Sequence, residues 1–184
     1  DLYSSGFLKI KPYLKSIEPI KQVEMIFGKY QKKYKNELPY FDWLPHPIGI
    51  YCYLFGKPSK VKIKTNKIFE KNNYKFQDLH FLLERNNIKA KIHFSNNFKK
   101  PHRIVKIIGA KGSLVYNGYS KNNLFFLKNN KRKNINGYIK RTPIRNLLDK
   151  FSDIIVGKDK FKNDILLSLN VMEILFKIER KLLN

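Results

Sequence analysis

The segment Phe41-Asp-Trp-Leu-Pro-His-Pro-Ile-Gly49 has the residue types most able to do chemistry. It contains the only Trp of the chain, two prolines, and an Asp four residues before a His. Imidazole titrates near neutrality, and a nearby carboxylate can orient it and stabilise its charged form. Asp42 and His46 could therefore serve as a proton-transfer pair. On a regular helix, positions i and i+4 share a face. Pro47 works against that geometry, because the residue before a proline is pushed out of the helical region. His46 is thus expected at a helix N-terminus, and from spacing alone polar residues capping that helix are the favoured reading of the pair.

The other reactive types are isolated. His80 and His93 fall in strand-like runs, and His102 sits beside Lys100 and Arg103. All three read as structural or surface residues. No HExxH or paired metal-ligand spacing occurs, so no metal site is expected. Cys52, the single cysteine, lies in an apolar stretch and reads as a packing residue. One thiol excludes an internal disulfide framework and a Cys-rich zinc site, and it fits a reducing, cytoplasmic setting. The nine glycines never form GxGxxG or GxxxxGK. Gly109-Ala-Lys-Gly112 lies between two strand-like runs and reads as a hairpin turn, so the chain has no dinucleotide-binding half of its own.

The elements that must hold these residues follow from periodicity. Pro12–Ile17 suggests a short helix, and Gln22–Phe27 alternates as a strand. Residues 28–40 read as a loop. Phe41–Phe55 reads as a buried helix ending at Gly56. Lys60–Lys64 alternates lysine with Val61 and Ile63, a half-buried strand with a lysine face. Strand candidates follow at Tyr74–Leu83, Ile88–Phe94, Arg103–Ile108, Ser113–Tyr116 and Leu124–Leu127. Asn-Asn pairs and the glycine turn separate them, which predicts a mostly antiparallel meander. Thr142 and Pro143 are a good N-cap and first residue for a helix carrying Ile144, Leu147, Leu148, Phe151 and Ile155, ended by Gly157. A longer helix from about Phe161 carries Leu167, Val171, Ile174, Ile178 and Leu182. Both apolar stripes are expected in the core. Strands gathered together, with helices at the ends, predict one α+β domain over residues 1–184: an open, mostly antiparallel sheet with helices packed on one face.

Composition bounds the function classes. The 184 residues include 38 Lys+Arg against 14 Asp+Glu, a formal charge of +24. That balance alone suggests a polyanionic partner. However, 32 of the basic residues are Lys and 6 are Arg, whereas base readers and stackers lean on Arg. Lys, Asn, Ile, Phe and Tyr are enriched together, as drift toward an A/T-rich genome would produce. The densest cluster, Lys128-Asn-Asn-Lys-Arg-Lys133, reads as a solvated loop tip. A lysine-rich nucleic-acid-binding protein is therefore the competing and disfavoured class. No run reaches the roughly 18 apolar residues of a membrane span. Asp1 in place of Met, with apolar residues close behind it, suggests a segment of a longer protein.

Three local patterns, in order, resemble the C-terminal domain of the glucose–fructose oxidoreductase / inositol dehydrogenase / rhizopine-catabolism (Gfo/Idh/MocA) family. The first is Asp42-Trp-Leu-Pro-His46 with its helix exit Leu54-Phe-Gly56 and Pro58-Ser-Lys-Val61. The second is the hairpin Ile107-Ile-Gly-Ala-Lys-Gly-Ser-Leu114. The third is the two-helix ending around Phe151 and Gly157. The resemblance spans roughly residues 10–184. It implies a substrate-binding and oligomerisation domain whose N-terminal partner domain binds NAD or NADP. The implied reaction is hydride transfer to or from a sugar, cyclitol or related CH–OH compound. By motif match, His46 would be the acid/base and Asp42 its substrate-orienting partner. The family's Glu-Lys-Pro lysine is not in this sequence, so the chain alone is not expected to turn over. Glu37-Leu-Pro-Tyr40 replaces the usual Gly-Gly before the Asp, and Gly49 replaces a second Asp. The implied partners are a small-molecule substrate and further copies of the chain through the open sheet face; separately, the lysine excess would favour an anionic sugar if some lysines lie near the pocket. A non-catalytic binding domain of the same fold is the alternative within this class.

Overall fold

The computed structural model describes residues 7, 9–120, 123–129, 131–135, 142–158 and 162–183. Two-residue runs of asparagine organise much of the sheet. Asn72-Asn73 and Asn86-Asn87 all take positive φ, between 46° and 65°. Two consecutive left-handed residues make the turn whose twist matches paired strands, and Asn tolerates that conformation better than most side chains. These turns join β2 (Lys60–Lys71), β3 (Tyr74–Arg85) and β4 (Ile88–Ser95) into successive hairpins.

The glycine pair makes a third hairpin, between β5 (His102–Gly109) and β6 (Gly112–Asn117). Gly109 is needed there because a Cβ would fall 1.8 Å from the carbonyl oxygen of Ile17. β7 (Leu124–Lys128) and β8 (Lys131–Asn134) complete the edge. The order across the eight-stranded sheet is β2-β3-β4-β1-β5-β6-β7-β8, with β1 spanning Ile20–Gly28. Every neighbouring pair is antiparallel except β1 with β4. The sheet is open and mostly antiparallel, as the sequence predicts.

Register divides its two faces. One rung runs Phe81, Ile92, Met25, Val105, Tyr116, Leu124, all buried. The next runs Leu82, Lys91, Glu24, Lys106, Val115, Phe125, none of them buried. Side chains alternate between faces along each strand, so the first face is core and the second is open. Lys60, Lys62 and Lys64 of β2 are exposed, as the alternation implies.

Helices cover the core face. A short α1 (Ile10–Tyr13) continues as a 3₁₀ turn, Leu14–Ile17. The expected helix over 41–55 divides into α2 (Tyr40–Trp43) and α3 (Pro45–Phe55). α3 is buried along most of its length, from Pro47 through Cys52 and again at Leu54. It stops at Gly56, whose φ is 81°. The terminal helix α5 (Lys162–Leu183) packs on α3 and β2 through Ile174, Leu175 and Ile178. Its predicted stripe is therefore core.

Two expectations are corrected. The helix α4 (Pro143–Ile155) forms, and Thr142 caps it by accepting the Arg145 N–H at 3.3 Å. Its apolar stripe, however, is not core: Ile144 is 69% exposed, Phe151 55% and Ile155 68%. Period fixes which side chains share a helix face, but not whether anything covers that face. Lys150 ties α4 to Asp164 of α5 at 2.7 Å. The segment at 128–133 is not simply a loop tip. Lys131–Asn134 pairs with β7 as a fully exposed edge strand, and Arg132 stacks on Phe125 with 3.9 Å to the ring centroid. Charges on an edge strand discourage further strands from adding to it.

Candidate active site

β1 ends at Gly28, and the chain then runs through residues 29–39 before α2 and α3 begin. This puts the end of β1, the start of α3 and the start of β5 at one rim of the sheet. Lys29, Gln31, Asp42, Trp43, His46, Arg103 and Tyr119 line a cleft of about 290 Å³ there. The sequence-nominated pair thus shares one cleft. His46 lies in the first turn of α3, as the proline argument requires.

The pair is not arranged as a simple Asp–His dyad. The Asp42 carboxylate accepts hydrogen bonds from the Lys33 ammonium and from the Tyr34 hydroxyl, the latter at 2.8 Å. Those two donors, Lys33 first, hold its carboxyl below the ordinary carboxylate range. Asp42 is therefore a fixed anion. Burial, followed by the hydrogen bond to Asp42 and then its charge, drives the Tyr34 phenol upward, so Tyr34 stays a donor. The Trp43 indole N–H donates to Gln31 Oε1 at 2.9 Å, which anchors the loop to α2.

His46 is half-buried, and its ring meets Trp43 edge-on with centroids 6.4 Å apart. Its pKa is pushed down to about 4, mainly by burial, with the positive Arg103 adding to the effect and Asp42 opposing it. A helix N-terminus also disfavours an imidazolium. At neutral pH His46 is thus an uncharged imidazole able to accept a proton. Arg103 lies over the Tyr119 ring, 5.4 Å from its centroid. With Lys29 it makes the cleft electropositive.

Sequence reasoning nominated Asp42 and His46 but not their cleft neighbours Tyr34, Gln31 and Lys33, which it left in a plain loop, nor Arg103 and Tyr119. Their only signal is tertiary, because they come from separate parts of the chain. Cys52 is buried in α3, and burial raises its thiol to about 11, as expected of a packing residue. Histidines 80 and 93, read as isolated, are in fact stacked side by side, with ring centroids 3.8 Å apart.

The chain shares its fold with solved oxidoreductase structures, the fold that the Gfo/Idh/MocA resemblance implies. A protein of Magnetospirillum magnetotacticum MS-1 assigned as an oxidoreductase superposes with a TM-score of 0.79 at 20% identity, covering 95% of this chain and 59% of its own. The aldose-aldose oxidoreductase of Caulobacter crescentus, solved with glycerol, gives 0.76 at 13% identity, over 98% of this chain and 60% of its own. Biliverdin reductase of Synechocystis sp. PCC 6803, solved with biliverdin and NADP+, gives 0.72 at 17% identity, over 89% and 55%. The chain thus spans somewhat more than half the length of these structures. No protein-family profile and no curated protein matches it.

Proposed function

We propose that this chain is the substrate-binding domain of an NAD(P)-dependent oxidoreductase acting on a CH–OH group of a sugar, cyclitol or related compound. The carrying observation is the joint placement of Asp42 and His46 in one cleft of a fold shared with oxidoreductases. In this reading, His46 exchanges a proton with the substrate hydroxyl. Asp42, held ionised by Lys33 and Tyr34, accepts a hydrogen bond from a neighbouring substrate hydroxyl and orients it. Lys29 and Arg103 favour a substrate with an anionic group, such as an acidic or nucleotide-linked sugar.

The described residues do not fit a dinucleotide. Gly109 and Gly112 frame a β-hairpin and not a strand-to-helix phosphate turn. The nicotinamide cofactor therefore belongs to a separate domain, and the cytoplasm, where such cofactors are abundant, is the proposed compartment. The open face carries Ile26, Ile104, Val115 and Phe125 among its charges, which supports self-association through that face.

The test uses the full-length protein. His46→Asn should lower kcat by about 10²–10⁴-fold, the usual contribution of a general acid/base, while leaving NAD(P) affinity within about threefold. Unchanged turnover removes His46 from the chemistry. A full-length sequence with no strand–GxGxxG–helix unit outside these 184 residues overturns the oxidoreductase reading altogether.

A further inference from the structure

The open face holds a second cluster of chemistry-bearing side chains. Asp78 and His80 are two apart on β3, so strand alternation puts both on that face. The register of β3 with β4 sets His93 directly opposite His80. Side chains opposite one another in an antiparallel pair have Cβ atoms about 4.5–5.5 Å apart, close enough for two imidazoles to share one ligand. The Asp78 carboxylate bridges the edges of the two stacked rings: Oδ1 is 3.1 Å from His80 Nε2, and Oδ2 is 3.1 Å from His93 Nε2. One donor atom from each of the three residues falls within 4.8 Å of the others. Phe98 packs edge-on against His93 at 4.9 Å and limits the positions its ring can take.

We propose that Asp78, His80 and His93 form a binding site for a divalent transition-metal ion of the zinc type, with a coordination position left open. Metal–ligand bonds of about 2.0–2.2 Å at tetrahedral angles separate neighbouring donor atoms by about 3.3–3.6 Å. Each imidazole nitrogen stands 3.1 Å from one of the two Asp78 oxygens, so those spacings need only a small adjustment, while the stacked rings must splay for both nitrogens to face one ion. Two imidazoles and one carboxylate are the donor set of sites that hold zinc by three protein ligands and keep a fourth position for water or substrate. The same donors exclude calcium and magnesium, which require oxygen ligands. Lys64, Lys91 and Glu24 line the 690 Å³ depression that also holds His80 and His93, so the surroundings carry no excess of negative charge and a cation must gain chiefly from its bonds to the three donors.

The site is separate from the Asp42–His46 cleft, since no residue lines both. A single ion is small enough to stay bound if another copy of the chain covers the face. The side chains of His80, Asp78 and His93 are 44%, 33% and 27% exposed, so replacing them leaves the core intact.

The experiment is a Zn²⁺ titration of the metal-free, full-length protein against a chromophoric chelator, read as binding and independent of turnover. One saturable equivalent per chain is expected. Asp78→Asn and His93→Gln should each weaken it at least tenfold, and His80→Gln/His93→Gln together should abolish it. His46→Gln should leave it unchanged. A wild-type protein in which Asp78 merely bridges two imidazoles would show no saturable site, and that result overturns the proposal. So does a site that survives loss of both His80 and His93, or one that disappears with His46.

Discussion

His46 is a proton acceptor at neutral pH because the fold keeps it uncharged. Its pKa falls from 6.5 to about 4 on folding, chiefly through burial. Between those values the unfolded chain holds a proton that the folded chain rejects, so stability falls as pH drops through this window and is unaffected above about 6.5. Between pH 7.5 and pH 5 the loss should be on the order of 1–2 kcal/mol. Urea unfolding at the two pH values, compared with His46→Gln, measures it. The variant should lose less stability over the same interval, and an identical loss in both proteins would show that His46 is not the group responsible. Asp42 complements His46, since Lys33 and Tyr34 keep it ionised while His46 stays neutral.

Helices α4 and α5 have similar apolar stripes and opposite fates. Ile178 of α5 is fully buried against the layer formed by α3 and the sheet, whereas Leu148 of α4 is 58% exposed. In the 184-residue chain, Ile178→Ala should cost about 2–5 kcal/mol and Leu148→Ala less than about 0.5 kcal/mol. Chemical denaturation of the two variants decides the matter. A cost for Leu148→Ala comparable to that for Ile178→Ala would mean that the α4 face is covered. The hairpins belong to the same scale. Asn-Asn pairs announce their turns because the requirement for positive φ is local, and the same pairs set the register that brings His93 opposite His80.

Across the whole molecule the formal charge is +24, and many of the described lysines lie on wet surfaces. The lysines of β2 are exposed, and so are all four residues of the edge strand β8. Such a surface attracts polyanions without selecting among them. Filter binding to duplex and single-stranded nucleic acid should show weak association with a steep salt slope, gone by about 0.15 M monovalent salt. Tight binding that persists at that salt would restore nucleic acid as a functional partner. The described helices include none long and apolar enough to cross a membrane.

By itself the sequence determined whatever depends on neighbours along the chain. Alternation of Val23, Met25 and Phe27 specified a strand face, Thr142-Pro143 a helix start, Gly56 a helix end, and Pro47 the place of His46 in the first turn of α3. Each of these follows from backbone geometry acting over a few residues. Tertiary structure decided what depends on register and cover. It tied Asp42 to Lys33 and Tyr34, brought Arg103 to His46, and left the α4 stripe in solvent. It also assembled Asp78, His80 and His93 from two strands whose pairing is set by the Asn86-Asn87 turn. These contacts join residues whose sequence separation carries no periodic signal, so only the folded chain could bring them together.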